Sequence, residues 1–69
     1  MDFTKWNRPN QMPDVGEYFV AKVKNEQNKF ILGQIIAASG WLACPYSDKH
    51  YWSEFKHLIE YWYYVKDIG

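Results

Sequence analysis

The stretch that decides the fold is the aromatic run near the C-terminus, His57-Leu-Ile-Glu-Tyr-Trp-Tyr-Tyr-Val-Lys-Asp-Ile68. β-branched and aromatic residues at this density are typical of a β-strand, and the run predicts one over about residues 58–66. Side chains alternate between the two faces of a strand. The face that we predict to cover the core consists of Ile59, Tyr61, Tyr63 and Val65. The face that we predict to be exposed to a partner consists of Glu60, Trp62, Tyr64 and Lys66.

Three strands are predicted ahead of this run. Over residues 17–24, Phe19, Ala21 and Val23 alternate with more polar positions, which favours a half-buried strand. The polar segment 25–28 suits a four-residue hairpin loop, and residues 29–38 are apolar on both faces in part, like a central strand. Gly33 inside this second strand indicates a bulge or a close backbone approach. A turn at 39–40 leads to a short third strand over 41–44, and the three strands form a predicted β-meander.

The remaining segments are less regular. We predict an irregular lead-in over residues 1–13, pinned to the body by Phe3 and Trp6, and then a turn over 13–16. In segment 46–56 the aromatic residues recur at helical spacing, with Ser47 or Asp48 as the N-cap. We predict a loop or one to two helical turns over 48–56, and the alternative is a helix that runs through to Tyr64. The predicted fold class is mainly β (α+β if 48–56 is helical), an antiparallel sheet of three to four strands with at most one short helix.

Composition narrows the functional classes. The 69 residues allow one domain, 1–69, and 4 Trp, 6 Tyr and 4 Phe are more rings than its core can bury, which indicates an interface. Eight basic and eight acidic residues cancel, so no net charge steers the chain to nucleic acid or to an anionic membrane. No apolar run approaches a membrane span. A single cysteine, Cys44, and a first segment unlike a signal peptide predict a cytoplasmic protein.

The side chains that carry chemistry do not form a recognisable site. Cys44, His50 and His57, with Asp48 and Glu54, are the candidate metal ligands, but their spacing does not match a zinc site. Cys44 with either histidine would be a nucleophile–base pair, yet so short a chain has little room for a cleft and an oxyanion hole. We therefore expect no catalytic residue, no metal and no cofactor.

Binding is the function that the composition favours, because exposed Tyr and Trp anchor protein interfaces. Interleaved carboxylates would meet a basic partner surface. The candidate partner-binding residues are Tyr18, Tyr46, Tyr51, Trp52, Glu54, Glu60, Trp62 and Tyr64. One alternative is a stacking platform for single-stranded nucleic acid or a nucleotide signal, with Lys22, Lys24 and Lys66 beside the rings, although the neutral net charge disfavours it. The other alternative is a homodimer closed by the surplus rings.

A pattern of landmarks spans most of the chain. Trp6 is followed by Met12-Pro13-Asp14-Val15-Gly16, by Gly40-Trp41 and by Ile59-Glu-Tyr-Trp62. This pattern resembles short phage and prophage proteins of uncharacterised function that carry Trp…Leu-Pro…Gly…Val…Gly-Trp…Thr-His-Trp. Here Met12 replaces Leu, Glu60-Tyr61 replaces Thr-His, and the Leu-Pro-rich ending is absent.

The resemblance implies a small β-rich fold, a phage or mobile-element origin and no catalytic residues. Together with the size and the aromatic content, it leads to a functional expectation. We expect a non-enzymatic, stoichiometric inhibitor or modulator of a host protein, such as a defence (CRISPR-type) complex.

Overall fold

The architecture is a four-stranded antiparallel sheet in the order β3-β2-β1-β4, seen in a computed structural model that describes residues 6–45 and 47–68. Its strands are β1 (Tyr18–Val23), β2 (Phe30–Ile35), β3 (Leu42–Ala43) and β4 (Ile59–Tyr64). A single helical turn, α1 (Trp52–Phe55), runs into a 3₁₀ turn (Lys56–Leu58), and a second 3₁₀ turn (Val65–Asp67) follows β4. The predicted mainly β fold with one short helix is confirmed.

The predicted meander is present with the expected hairpin. β1 and β2 pair in antiparallel register from Tyr18 opposite Gln34 to Lys22 opposite Phe30. The loop between them includes Asn25 and Asn28, both with positive φ angles of about 65° and 63°. Asn tolerates this left-handed conformation better than most residues because its short polar side chain bonds locally. The polar break in the sequence is therefore a loop with the turn chemistry that it requires.

The core lies on one side of the sheet, which we call the inner face. Phe19, Ala21 and Val23 of β1 are buried there, as their alternation predicts. α1 covers this face with Trp52 and Phe55, whose rings pack edge-on or tilted against Phe19 at centroid distances of 5.6 and 6.0 Å. The rest of the buried apolar cluster consists of Ile31, Ile35, Leu42, Cys44, Ile59 and Trp62.

β4 contains an irregularity that reverses the predicted faces of the aromatic run. Val23 is opposite Ile59, and Lys22, which precedes Val23 in β1, is opposite Tyr61. Glu60 therefore has no residue opposite it in β1 and is an extra residue in β4. Such a β-bulge shifts the alternation of the residues that follow by one position. Ile59 is buried as predicted, but beyond the bulge Trp62 points to the core.

Five face assignments in the run were wrong, four of them because of the bulge. Trp62 is opposite Ala21 and only 2% exposed, and Tyr64 packs against the core cluster. Tyr61 and Tyr63 are opposite Lys22 and Val20 and share their face, because paired residues of neighbouring strands point the same way. Val65, which we predicted to be core, is exposed in the 3₁₀ turn that follows β4.

The lead-in is held by tryptophan side chains that do not belong to it. The Trp62 indole Nε1–H donates to the carbonyls of Arg8 and Gln11 at 3.1 and 2.8 Å, and Trp52 Nε1–H donates to the carbonyl of Pro9 at 3.0 Å. Backbone bonds in both directions join Asn7 to Trp62. Trp6 lies outside the core, tilted against Tyr61 at 5.7 Å, and the predicted anchor Phe3 lies outside the described residues.

Segment 47–56 is helical only at its end. The predicted N-cap at Ser47 or Asp48 is wrong, and so is the alternative of a helix through Tyr64, because α1 begins at Trp52. Residues before it are tied to the β2–β3 turn instead, since Leu42 N–H donates to His50 O and Trp52 N–H donates to Gly40 O, both at 2.8 Å. These long-range backbone bonds hold the segment extended up to α1.

At Gly33 the structure shows neither the predicted bulge nor a close backbone approach, since β2 pairs regularly with β1 and the close neighbour is a side chain. A Cβ added there would lie 2.9 Å from Cζ of Phe19, whose ring is enclosed by Trp52, Phe55 and Trp62. Its φ angle is outside the left-handed region, so only this contact argues against a side chain. Without the contact, alanine would stabilise the strand by about 0.4–1 kcal/mol through the unfolded state.

We predict that Gly33→Ala lowers the free energy of unfolding by about 1–3 kcal/mol, as overpacking of a core does. Urea denaturation of the variant would measure this. Phe19→Leu in the same chain should shrink the loss, since the two changes share one contact. Exposed Ser53→Ala serves as the control, and a Gly33→Ala variant as stable as the parent would contradict the packing described.

Candidate binding surface

The side of the sheet opposite the core is a continuous face of exposed side chains, which we call the outer face. α1 and residues 9–13 pack on the inner side, so none of these described segments covers it. Tyr18, Phe30 and Leu32 are 54%, 47% and 45% exposed. The outer face consists of Tyr18, Val20, Lys22, Phe30, Leu32, Gln34, Ala43, Tyr61 and Tyr63.

Strand register sets these side chains in rows across the sheet. Val20 lies between Leu32 and Tyr63, and Lys22 lies between Phe30 and Tyr61. At the β4 margin, Trp6 joins Phe30, Tyr61 and Tyr63 around a shallow cavity of about 410 Å³. A second hollow of about 290 Å³ lies towards β3, beside Tyr18 and Leu32. The outer face therefore has two hollows that side chains of a partner can enter.

The charge on the outer face is neutralised within the protein. Lys22 Nζ donates to Glu60 Oε1 at 2.7 Å and to the carbonyl of Val23 at 2.9 Å. The Lys22 side chain is largely buried between its neighbours, so its ammonium group is directed to these two acceptors. At the margin, Lys66 lies 3.6 Å from a carboxylate oxygen of Glu17. The outer face thus presents apolar and aromatic groups with no net charge of its own.

The bulge also provides the carboxylate of this ion pair. Glu60 is the extra residue of β4, and its side chain reaches Lys22 on the outer side of the sheet, where regular alternation would also place it. The same inserted residue sends Trp62 to the core and Tyr61 and Tyr63 outward.

The structure brings only two of the eight predicted partner-binding residues to the outer face. Tyr18 lies on it, and Glu60 lies beside it in the ion pair. Trp52 and Trp62 are core residues, 5% and 2% exposed, and their rings contact each other edge-on. Their side chains are therefore not available to a partner.

The other predicted residues are dispersed. Tyr51 is exposed and tilts against Trp41 at 5.9 Å, and Glu54 is exposed on α1. The Tyr64 ring packs against Trp62 at 4.9 Å, and its hydroxyl oxygen accepts from Asp14 N–H at 3.0 Å. Tyr46 lies outside the described residues. Five residues on or beside the outer face were not predicted to bind a partner: Trp6, Phe30, Leu32, Tyr61 and Tyr63. Two of these carried a readable signal, since Phe30 and Leu32 alternate with Ile31 and the close-packed Gly33.

The chemistry-bearing side chains do not converge. Within residues 6–45 and 47–68, no three His, Cys, Asp or Glu side chains lie close enough together to hold a metal ion. Cys44 is buried, and its thiol donates to the carbonyl of Leu32 at 3.4 Å. A buried thiol bonded in this way is a core residue.

Comparison with known proteins gave no match to a protein-family model, to a curated protein or to a solved structure. The described part of the chain contains no helix of the length and apolar character needed to cross a membrane. Function must therefore be argued from the surfaces of the fold.

We predict that Trp62→Phe destabilises the protein, in contrast to what an exposed partner-binding residue would do. The change removes the indole donor from the carbonyls of Arg8 and Gln11, and loss of such part-buried hydrogen bonds costs about 0.5–1.5 kcal/mol each. The midpoint of urea unfolding would show the loss. Trp6→Phe is the matched control on the outside of the sheet and should change stability by less than about 0.5 kcal/mol. Equal effects of the two changes would contradict the assignment of Trp62 to the core.

Proposed function

We propose that the protein is a non-enzymatic binding module that holds a protein partner against the outer face. The observation that carries this proposal is the combination of exposed Tyr, Phe and Leu side chains with an internally paired lysine. Surface Tyr and Trp rings are favoured at interface hot spots, because they bury much area at low cost in side-chain entropy. Tyr18, Phe30, Tyr61 and Tyr63 give the outer face this character.

The charge distribution favours a protein over nucleic acid. Binding to a phosphate backbone draws most of its non-specific affinity from cations that replace counterions. The lysine among the outer-face rings is Lys22, and Glu60 at 2.7 Å already neutralises it. Stacked bases would therefore lack phosphate contacts on this face. An apolar protein surface requires none.

The dimensions of the outer face suit a modest interface. The three six-residue strands β1, β2 and β4, about 4.8 Å apart with about 3.3 Å per residue, give a flat area of roughly 14 by 20 Å. This area corresponds to the smaller specific complexes, which bury less than about 1,200 Å² in total. The partner is thus expected to present one apolar face and to bind reversibly.

The identity of the partner class comes from the sequence resemblance. If the chain is phage-encoded, the partner is a host protein in the cytoplasm, and the module acts on it stoichiometrically as an inhibitor or modulator. The buried thiol of Cys44 is compatible with a reducing compartment. A defence complex of the CRISPR type is the target class that we propose.

We predict that a photo-crosslinking amino acid at Leu32 gives a discrete adduct with a host protein in bacterial cells. Leu32 lies at the centre of the exposed outer face. The same group at Ser53, exposed on α1, is the matched control and should give none. The double variant Tyr61→Ser and Tyr63→Ser should give no adduct. Its midpoint of urea unfolding should stay close to that of the parent, which shows that the variant is still folded. Mass spectrometry of the adduct and of the purified complex would measure this.

Three outcomes would overturn the proposal. An adduct of twice the 8.3 kDa chain mass would identify a second copy as the occupant of the outer face. A nucleic-acid adduct from Leu32 would identify a stacking platform. Equal adducts from Leu32 and Ser53, or none from either, would mean that the outer face recognises no host protein.

A further inference from the structure

A cleft lined by cationic side chains lies away from the apolar outer face. This cleft, of about 400 Å³, opens where the lead-in, the end of β1 and the 3₁₀ turn Lys56–Leu58 meet. None of the side chains that line it belongs to the outer face. They are Arg8, Pro9, Asn10, Lys24, Lys56 and His57.

The walls of the cleft are fixed to the core. The carbonyls of Arg8 and Pro9 accept bonds from the buried indoles of Trp62 and Trp52 at 3.1 and 3.0 Å. Lys24 N–H donates to the carbonyl of Leu58 at 2.8 Å, which ties the end of β1 to the 3₁₀ turn. Three segments far apart in sequence are thereby held around one opening. The cationic side chains start from a backbone that does not have to be organised by a ligand.

The charges around the cleft are of one sign. Arg8, Lys24 and Lys56 line it with His57, and its lining contains no carboxylate. The ion pairs among the described residues engage Lys22, Lys29 and Lys66, which are outside the cleft. A neighbouring cavity differs in charge, because it shares Lys24 and His57 with the cleft but is also lined by the carboxylates of Glu26 and Asp48.

This concentration of positive charge is unusual for the chain as a whole. The protein has a formal net charge of zero, so three cationic residues around one opening are a local asymmetry rather than a consequence of composition. Cations held together repel each other, and an anion among them relieves the repulsion and gains charge-assisted hydrogen bonds. Arg8 supplies a planar, forked donor, while the Asn10 amide supplies a neutral one.

We propose that this cleft binds a phosphate group, either as a free ion or on a small phosphorylated ligand. Arg8, Lys24 and Lys56 are the charged contacts, and Asn10 and His57 complete the donor set. The proposal is independent of the protein partner on the outer face. The guanidinium carbon of Arg8 lies 5.9 Å over the centre of the Trp6 ring, so this ring is next to the cleft and its indole resonance reports on a ligand that reaches beyond Arg8.

The test is a titration of the isotope-labelled full chain with pyrophosphate at low salt, followed by backbone amide chemical shifts. The shifts should be confined to the amides of residues 8, 10, 24 and 56–58. Lys24→Gln and Lys56→Gln should each weaken binding by about threefold to tenfold, the range expected for loss of one charged contact. Lys49→Gln is the matched control, since Lys49 is outside the cleft lining, and it should leave the affinity unchanged.

Comparison of pyrophosphate with ADP distinguishes the two sources of the phosphate. Tighter binding of ADP, with a shift of the Trp6 indole resonance, assigns a nucleoside phosphate, and equal affinities assign the free anion. Three results would overturn the proposal. They are no saturable shifts up to millimolar pyrophosphate, equal loss of affinity in Lys49→Gln and Lys24→Gln, and shifts spread over the whole basic surface.

Discussion

The structure depends on the placement of one buried indole, that of Trp62. Its ring meets Phe19, Trp52 and Tyr64 edge-on, and its N–H bonds two carbonyls of the lead-in. Its backbone pairs with Ala21 on one side and with Asn7 on the other. Tryptophan suits this position because it combines a large apolar body with one donor that must be satisfied when buried. Sheet, helix and lead-in thus meet at a single side chain.

Only one side of the sheet is covered by the rest of the described chain. α1 has only four residues and the lead-in is irregular, so together they cover the inner face and no more. A chain of 69 residues buries only about 60% of the surface that its unfolded form exposes, and its surplus rings must lie outside. Among the described residues, four of these rings lie on the outer face, those of Tyr18, Phe30, Tyr61 and Tyr63. The separation of apolar and cationic groups follows, with rings on the sheet and Arg8, Lys24 and Lys56 at its margin.

Local patterns predicted the parts of the fold that local forces determine. The alternation of Phe19, Ala21 and Val23 gave β1. The start of α1 was not predictable from capping residues, because long-range bonds between the backbones of residues 40–42 and 50–52 hold the preceding segment extended. The faces of β4 were not predictable from alternation, since the bulge arises from how Ile59 and Trp62 both reach the core. With the faces corrected, the candidate binding residues of β4 are Tyr61 and Tyr63 instead of Trp62 and Tyr64.

In β4, the position of the extra residue Glu60 decides which side chains face the core and which face outward. Residues on either side of the bulge keep their chemical nature whichever way they point, so hydrophobicity alone does not orient them. Loss of the Glu60 codon would restore strict alternation and leave Ile59 and Trp62 inward and Tyr61 and Tyr63 outward, because these residues already pair in order with Val23, Lys22, Ala21 and Val20. The same loss would remove the carboxylate that pairs with Lys22. Glu60 is therefore dispensable for the present orientation of β4 but required for a neutral outer face.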